Sequence, residues 1–259
     1  MSDAALAQPR PQARYALKGF LREPRAFVFT VIMPLFLLVI LNAIFHGTSS
    51  FFHLRVPFAV YYTPAIISYQ IMLAGYSSLL IAVTTERERG MLKRLRGTPM
   101  PGWVFLAGQI IRTTITVAVT VVVLVAVGSA IYHVGIRADT VIGLAVYTVT
   151  GTACMCALGL ASTRVCATTE AASVAGPFTT LILRFISGVF IPAPVMPAWL
   201  LDAGKLFPLE HLARGLQQAF AMPGSTGITA IDLAALAAWG VAGLTAALAG
   251  FRWEPHDSW

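Results

Sequence analysis

The sequence predicts an all-α polytopic membrane protein with six transmembrane helices and both termini inside. Three observations predict it. Of the 259 residues, 57% are hydrophobic and only 11% charged, where a soluble domain carries roughly a quarter charged. Mean hydropathy is +0.76. Six apolar runs match the roughly 20 residues a helix needs to cross the hydrocarbon layer, and the basic residues collect between alternate runs.

The runs are Ala26–Phe45, Val60–Val83, Thr113–Tyr132, Val141–Ala161, Ser173–Ile191 and Ile231–Phe251. The first follows a basic arm, residues 1–25, and is long for the apolar core of a signal peptide, so it reads as a retained span. With the N-terminus inside, the inner pieces hold twelve Lys/Arg: Arg10, Arg14, Lys18, Arg22, Arg25, Arg87, Arg89, Lys93, Arg94, Arg96, Arg164 and Arg252. The outer pieces hold four: Arg55, Arg137, Lys205 and Arg214. Cytoplasmic loops carry the excess of Lys and Arg, which gives N-in, C-in. The net charge of +7 therefore reads as topology and membrane-surface charge; nucleic acid is not an expected partner. The domain reading is an inner arm, 1–25, and one six-span unit, 26–259.

Two pieces outside the spans have pattern. Residues 11–25 set Tyr15, Leu17, Phe20 and Leu21 among basic residues. This predicts an amphipathic helix along the inner surface, ended by Pro24. The outer segment 188–227 opens with Pro192, Pro194 and Pro197. It continues into a stripe of Leu209, Leu212, Ala213, Leu216 and Phe220 at helical spacing. Pro208 suits a first helical turn, and Glu210 and Arg214 form an i,i+4 pair on the other face. The segment reads as a helical hairpin that is re-entrant or lies in the outer leaflet.

The stretch 84–99, TTERERGMLKRLRGTP, is the densest charge in the chain. Thr85 is placed as an N-cap with Glu88 completing a capping box. Glu86 and Glu88 suit the first turn, and Lys93, Arg94 and Arg96 the last. Gly97 and Pro99 end the helix. A bounded helix within 85–97 follows, with Met91, Leu92 and Leu95 as its apolar patch. Such a helix either lies on anionic head groups or, fixed between spans two and three, passes force from a soluble partner into the membrane.

Absent motifs exclude several classes. There is no G-x-x-x-x-G-K-[ST] phosphate loop, no H-E-x-x-H and no G-x-S-x-G. Asp232, at the edge of the sixth span, is the one acidic residue in a span, which argues against an intramembrane protease or a proton-coupled carrier. The five His (46, 53, 133, 211 and 256) are scattered without ligand spacing, so no metal site is expected. Cys154, Cys156 and Cys166 read as small packing residues.

The run Glu86-Arg87-Glu88-Arg89-Gly90, then Leu92, Leu95 and Thr98-Pro99, resembles the signature between spans two and three of ABC type-2 permeases. These are the membrane subunits of ATP-binding-cassette exporters, including the daunorubicin-resistance type. Ser187-Gly188-Val189-Phe190-Ile191-Pro192, Met196-Pro197-Ala198-Trp199-Leu200 and Phe207-Pro208-Leu209-Glu210-His211 resemble that family's outer hairpin. The resemblance spans nearly the whole chain, and these two motifs are its specific part. One departure is Lys93-Arg94, where the family often has an acidic residue, and it bears on which ATPase is accepted.

The resemblance implies a coupling helix that docks on a nucleotide-binding ABC ATPase subunit, formed by Glu86, Arg87, Glu88, Gly90, Met91, Leu92, Leu95, Thr98 and Pro99. Arg164 and Glu170, after span four, would make a second contact. The N-terminal amphipathic helix would be the connecting helix, its Lys18 or Arg22 pairing with Glu86 or Glu88. ATP and Mg belong on the partner ATPase; this chain holds no cofactor and is not an enzyme by itself. The assembly implied is a dimer of permeases, identical or related, in a bacterial cytoplasmic membrane. It would export a hydrophobic, drug-like molecule by alternating access. A permease for a lipid or envelope glycan, and a non-transporting membrane scaffold, are the other readings.

The resemblance also lines a central cavity with Tyr62, Tyr69, Gln70 and Tyr76 of span two and Phe178 and Phe185 of span five. The residues alone favour lipid-facing or packing roles for such aromatics. Polar span residues such as Asn42, Ser77, Ser78 and Thr180 are ordinary interhelical partners. Arg112 at an inner edge reads as snorkelling. Arg184 lies eleven residues into span five, roughly 16 Å along the helix. It either snorkels onto hairpin carbonyls or makes a polar contact in the cavity, for an anionic group on the cargo.

Overall fold

The computed structural model describes residues 31–45, 56–90, 102–222 and 224–250. It is helical, with no strand among the described residues. The order is α1 Met33–Ile44, α2 Phe58–Glu88, α3 Gly102–Tyr132, α4 Ala138–Ser162 and α5 Thr169–Ile186. After these come a 3-10 turn Ala193–Val195, α6 Ala198–Gly204, α7 Pro208–Ala221 and α8 Ala230–Gly250. Four helices are long and apolar enough to cross a membrane: Phe58–Glu88, Ala107–Tyr132, Ala138–Ser162 and Ala230–Ala249. Helices also stand at the first and fifth predicted positions. The protein is a multi-pass membrane protein.

Contacts give the directions of the helices. Thr63 of α2 meets Gly128 of α3, while Glu86 of α2 meets Gln109 of α3, so these two run antiparallel. Gly75 of α2 meets Met155 of α4 and Arg87 meets Thr163, so these run parallel. Gly240 and Gly243 of α8 abut Cys154 and Ala157 of α4. In lipid no hydrophobic drive brings helices together, and small residues that permit close approach take its place. A Cβ on Gly159 would stand 2.8 Å from the carbonyls of both Gly75 and Tyr76. One end of the bundle holds Glu86–Glu88, the Arg87 end; the other holds α6 and α7, the hairpin end.

Three expectations are corrected. Thr85 does not cap a new helix. α2 runs unbroken through it, and its hydroxyl donates to the Ile81 carbonyl one turn back (2.8 Å). The break comes at Gly90, whose φ of +67° suits glycine after a helix end. Span five ends at Ile186 rather than Ile191, because Ser187 leaves the helix and Gly188 turns left-handed (φ +70°). Its start moves back to Thr169, where Thr168 accepts from the Ala171 N–H as N-cap. Finally, of the two placements open for the hairpin, re-entrant or surface-lying, α7 does not take the surface-lying one. Its stripe of Leu209, Leu212, Ala213, Leu216 and Phe220 is buried against α2, α4 and α8. Gly215 admits the ring of Tyr147 where any Cβ would clash.

The sequence pattern gave no sign of the π-helical turn Leu73–Ser78 inside α2. Single π turns are frequent at functional positions. This one brings Gly75 and Tyr76 against α4 and Ser77 against Gly176 of α5.

Candidate functional site

Three consecutive residues end α2, and each points to a different neighbour, as a 100° step per residue requires. Glu86 accepts from Gln109 Nε2 (3.3 Å), and Gln109 Oε1 accepts from Arg112 (2.8 Å), which ties α2 to α3. Arg112 is thus hydrogen-bonded as well as exposed.

Arg87 turns inward and is only 4% exposed. Its Nη1 donates to the Thr163 carbonyl (2.9 Å). Its Nη2 donates to those of Cys166 (2.6 Å) and Ala167 (3.0 Å). The last carbonyls of a helix have no partner of their own and carry partial negative charge. Arg87 therefore caps the C-terminal end of α4 and the turn after it from a different helix.

Glu88 does the converse. Its carboxylate accepts from the Thr169 N–H (2.8 Å) and the Thr169 hydroxyl, at the first residue of α5, where a helix favours an anion. Adjacent residues of opposite sign thus cap opposite kinds of helix end, and α2 is fastened to α3, α4 and α5 within three positions.

The other predicted contact residues divide. Arg164 is exposed and donates to the Ala246 carbonyl of α8 (3.2 Å). Glu170 is exposed in the first turn of α5. Met91, Leu92, Leu95, Thr98, Pro99, Lys18 and Arg22 lie outside the described residues, and with them the helix proposed after Gly90 and its pairing with the arm.

Of the predicted cavity residues, the structure gathers some. Tyr62 stacks on Phe58 (centroids 4.1 Å) and donates to the Phe190 carbonyl (2.6 Å). Tyr61 donates to the Gly188 carbonyl (2.8 Å) and accepts from the Ala193 N–H (3.3 Å). The two tyrosines hold the lead-in to the hairpin on α2. The Arg184 guanidinium lies against the adjoining rings of Tyr69 (5.0 Å) and Phe190 (4.9 Å), which are themselves 6.2 Å apart. Phe185 adjoins Phe190 (5.6 Å), whereas Phe178, two turns back on the same face of α5, is 60% exposed. Gln70 is wholly buried, and neither atom of its amide is bonded among the described residues. Tyr76 accepts from the Ser162 hydroxyl (3.3 Å).

Sequence reasoning missed a polar cluster at the hairpin end. Asp232 stands in the first turn of α8, at the edge of the span as expected, and is fully buried. It accepts from Arg214 and the Thr229 hydroxyl, and its Oδ1 lies 2.7 Å from His211 Nδ1. His211 Nε2 faces the Lys205 carbonyl (2.9 Å). Arg214 also meets Glu210 at 3.4 Å, the expected i,i+4 pair. That last pair and the Thr229–Asp232 pair, three apart at the start of α8, have spacings visible in the sequence; the contacts of Asp232 with His211 and Arg214 do not.

A family model for the ABC-2 type transporter matches residues 13–221. The chain belongs to the ABC-2 type transporter family. The match runs from before α1 through the end of α7, so it takes in the α2–α5 junction, the aromatic clamp on Arg184 and the hairpin. No curated protein matches the chain. An ABC-2 permease is a membrane transport component, and membership implies partnership with an ABC ATPase subunit.

Proposed function

We propose that this chain is the permease subunit of an ATP-driven exporter that moves a hydrophobic small molecule outward across a bacterial cytoplasmic membrane. Two permeases, identical or related, carry two ATPase subunits that bind ATP and Mg. The six-span, N-in arrangement puts the Arg87 end in the cytoplasm.

The observation that carries this reading is the fastening at Glu86, Arg87 and Glu88. A push on the segment after Gly90 reaches α3, α4 and α5 at once, through buried or charge-assisted bonds rather than through a flexible loop. Charge-assisted bonds are roughly twice as strong as neutral ones, so the junction moves as a unit. ATP-driven closure of the ATPases would tilt these helices together and open the cavity outward. The segment 85–97 is the coupling element in this scheme, and Arg164 and Glu170 lie on the same face.

The test is affinity purification of the tagged full chain from its native membrane, with the charges of 86–96 intact or reversed. The expected result is a phosphate-loop ATPase that copurifies with the intact chain and is lost with the altered one. Stimulation of that ATPase by a hydrophobic drug, rather than by lipid or glycan, supports the drug-like cargo. An absent ATPase with either chain would leave the scaffold reading standing.

A further inference from the structure

Among the described residues Arg184 has no counter-charge. The chain has eleven acidic residues, and their placement can be followed. Asp3, Glu23, Glu254 and Asp257 lie in the terminal segments beyond the described residues. Glu86, Glu88 and Glu170 sit at the Arg87 end. Asp202 pairs with Lys205 (2.8 Å), and Glu210 and Asp232 are taken by Arg214 and His211. Asp139 lies in the first turn of α4, at the hairpin end, and makes no ion pair among the described residues. None lies within ion-pair distance of Arg184 among the described residues.

Its hydrogen bonds are missing too. None of its five N–H donors meets an acceptor among the described residues, and its Nε is buried without a partner. One turn further, Ser187 is 3% exposed and its hydroxyl also lacks a partner. Ser187 is the first residue past the end of α5. A cation inside a membrane protein is costly unless paired or wetted, and orphaned buried donors are rare in native proteins.

The setting is built rather than accidental. The guanidinium carbon stands 5.0 Å from the Tyr69 ring and 4.9 Å from the Phe190 ring, and Tyr62 pins the Phe190 carbonyl. The two rings are 6.2 Å apart and so flank one side of the guanidinium, which leaves an N–H edge to other partners. That edge suits a planar or tetrahedral oxyanion bidentately. The flanking rings suit an apolar body.

We propose that Arg184, with Ser187, binds the carboxylate or phosphate of an anionic amphiphile whose apolar part lies along Tyr69, Phe190 and Phe185. The amphiphile is either a transported molecule or a membrane lipid. The inference sharpens the export reading by naming a chemical class, but binding is read without ATP or the ATPase. Loss of one result therefore leaves the other standing.

The test uses the full chain in detergent and the fluorescent acid dansyl-undecanoate, with its uncharged methyl ester as control. The acid is expected to bind at least about tenfold tighter than the ester, the worth of one charged hydrogen bond. Arg184→Gln abolishes that preference while ester binding stays, and Arg184→Lys keeps part of it. Equal binding of acid and ester to the native chain, no binding of either, or an unchanged preference in Arg184→Gln would overturn the proposal. Should the Gln variant not fold, loss of the preference in Arg184→Lys overturns it and retention supports it. The source is read in nanodiscs. Exchanging phosphatidylcholine for phosphatidylglycerol weakens the acid if the natural ligand is a lipid head group, and leaves it unchanged if the site serves cargo.

Discussion

Arg87 and Arg214 are both drawn onto neighbouring helices, at opposite ends of the bundle, but different partners hold them. Arg87 donates to backbone carbonyls of α4 and the turn to α5. Arg214 meets carboxylates, one on its own helix and one on α8. A guanidinium on carbonyls fixes the path of a loop, and no other described side chain bonds those three carbonyls. A guanidinium between two carboxylates has a spare. Among the described residues those carbonyls therefore depend on one side chain, whereas Arg214 at the hairpin end has two carboxylates that can stand in for each other.

Removing Arg87 has the largest effect expected. Arg87→Ala takes the charged donor from three carbonyls of a turn whose Arg164 and Val165 are exposed. Losing hydrogen bonds from a charged group costs roughly 3 kcal/mol. The apparent melting temperature in detergent should fall by about 10 °C, with the ATPase no longer copurifying. Arg87→Lys should recover little of this, because a point charge cannot fork across three acceptors. Full recovery would dissolve the contrast between the two ends.

Asp232→Asn tests the two carboxylates. Arg214 falls back on Glu210, so the loss should be smaller, roughly 2 kcal/mol. The double variant Asp232→Asn, Glu210→Gln should lose more than the sum of the singles. Strict additivity in the melting data would mean that the carboxylates do not substitute for one another.

Tyr62→Phe removes one bond to the hairpin lead-in and keeps the stack on Phe58. About 1 kcal/mol is expected, and dansyl-undecanoate binding should weaken slightly as the Phe190 side of the clamp loosens. A wild-type melting curve together with wild-type probe binding would show that the pin on Phe190 is idle.

Glu88→Gln should have the least thermal effect, since the carboxylate is exposed and its bonds to Thr169 compete with water. No measurable melting shift is expected. Cargo-stimulated ATP hydrolysis should fall if Glu88 helps pass motion from α2 to α5. An unchanged stimulation would confine coupling to Arg87.

Local spacing made one half of this contrast readable in the sequence. Glu210 and Arg214 are four apart on one helix, and their pairing follows from helix geometry. The apolar stripe of α7 was legible for the same reason. Asp232 and His211 belong to different helices, 21 residues apart, and only packing joins them. Arg87 misled more deeply. A charge-rich stretch with Thr and Glu at capping spacing has the same local pattern as a new helix. What decides is whether the preceding apolar helix can continue, and here it did, with Arg87 turned into the protein. The π turn Leu73–Ser78 left no sequence mark, because it answers to contacts with α4 and α5. The Arg184 clamp was half visible. An arginine in an apolar run announces a partner but does not say that the partner is aromatic.

The most direct measurement places a photo-crosslinking benzoylphenylalanine at one of two exposed positions in the full chain, Arg89 at the Arg87 end or Trp199 on α6 at the hairpin end. Irradiation in native membranes is followed by identification of the crosslinked partner. A soluble ABC ATPase captured from position 89 and not from 199 is the predicted result. Capture from position 199, or from neither position while the ATPase copurifies, would contradict the assignment of the Arg87 end as the place where ATP-driven motion enters.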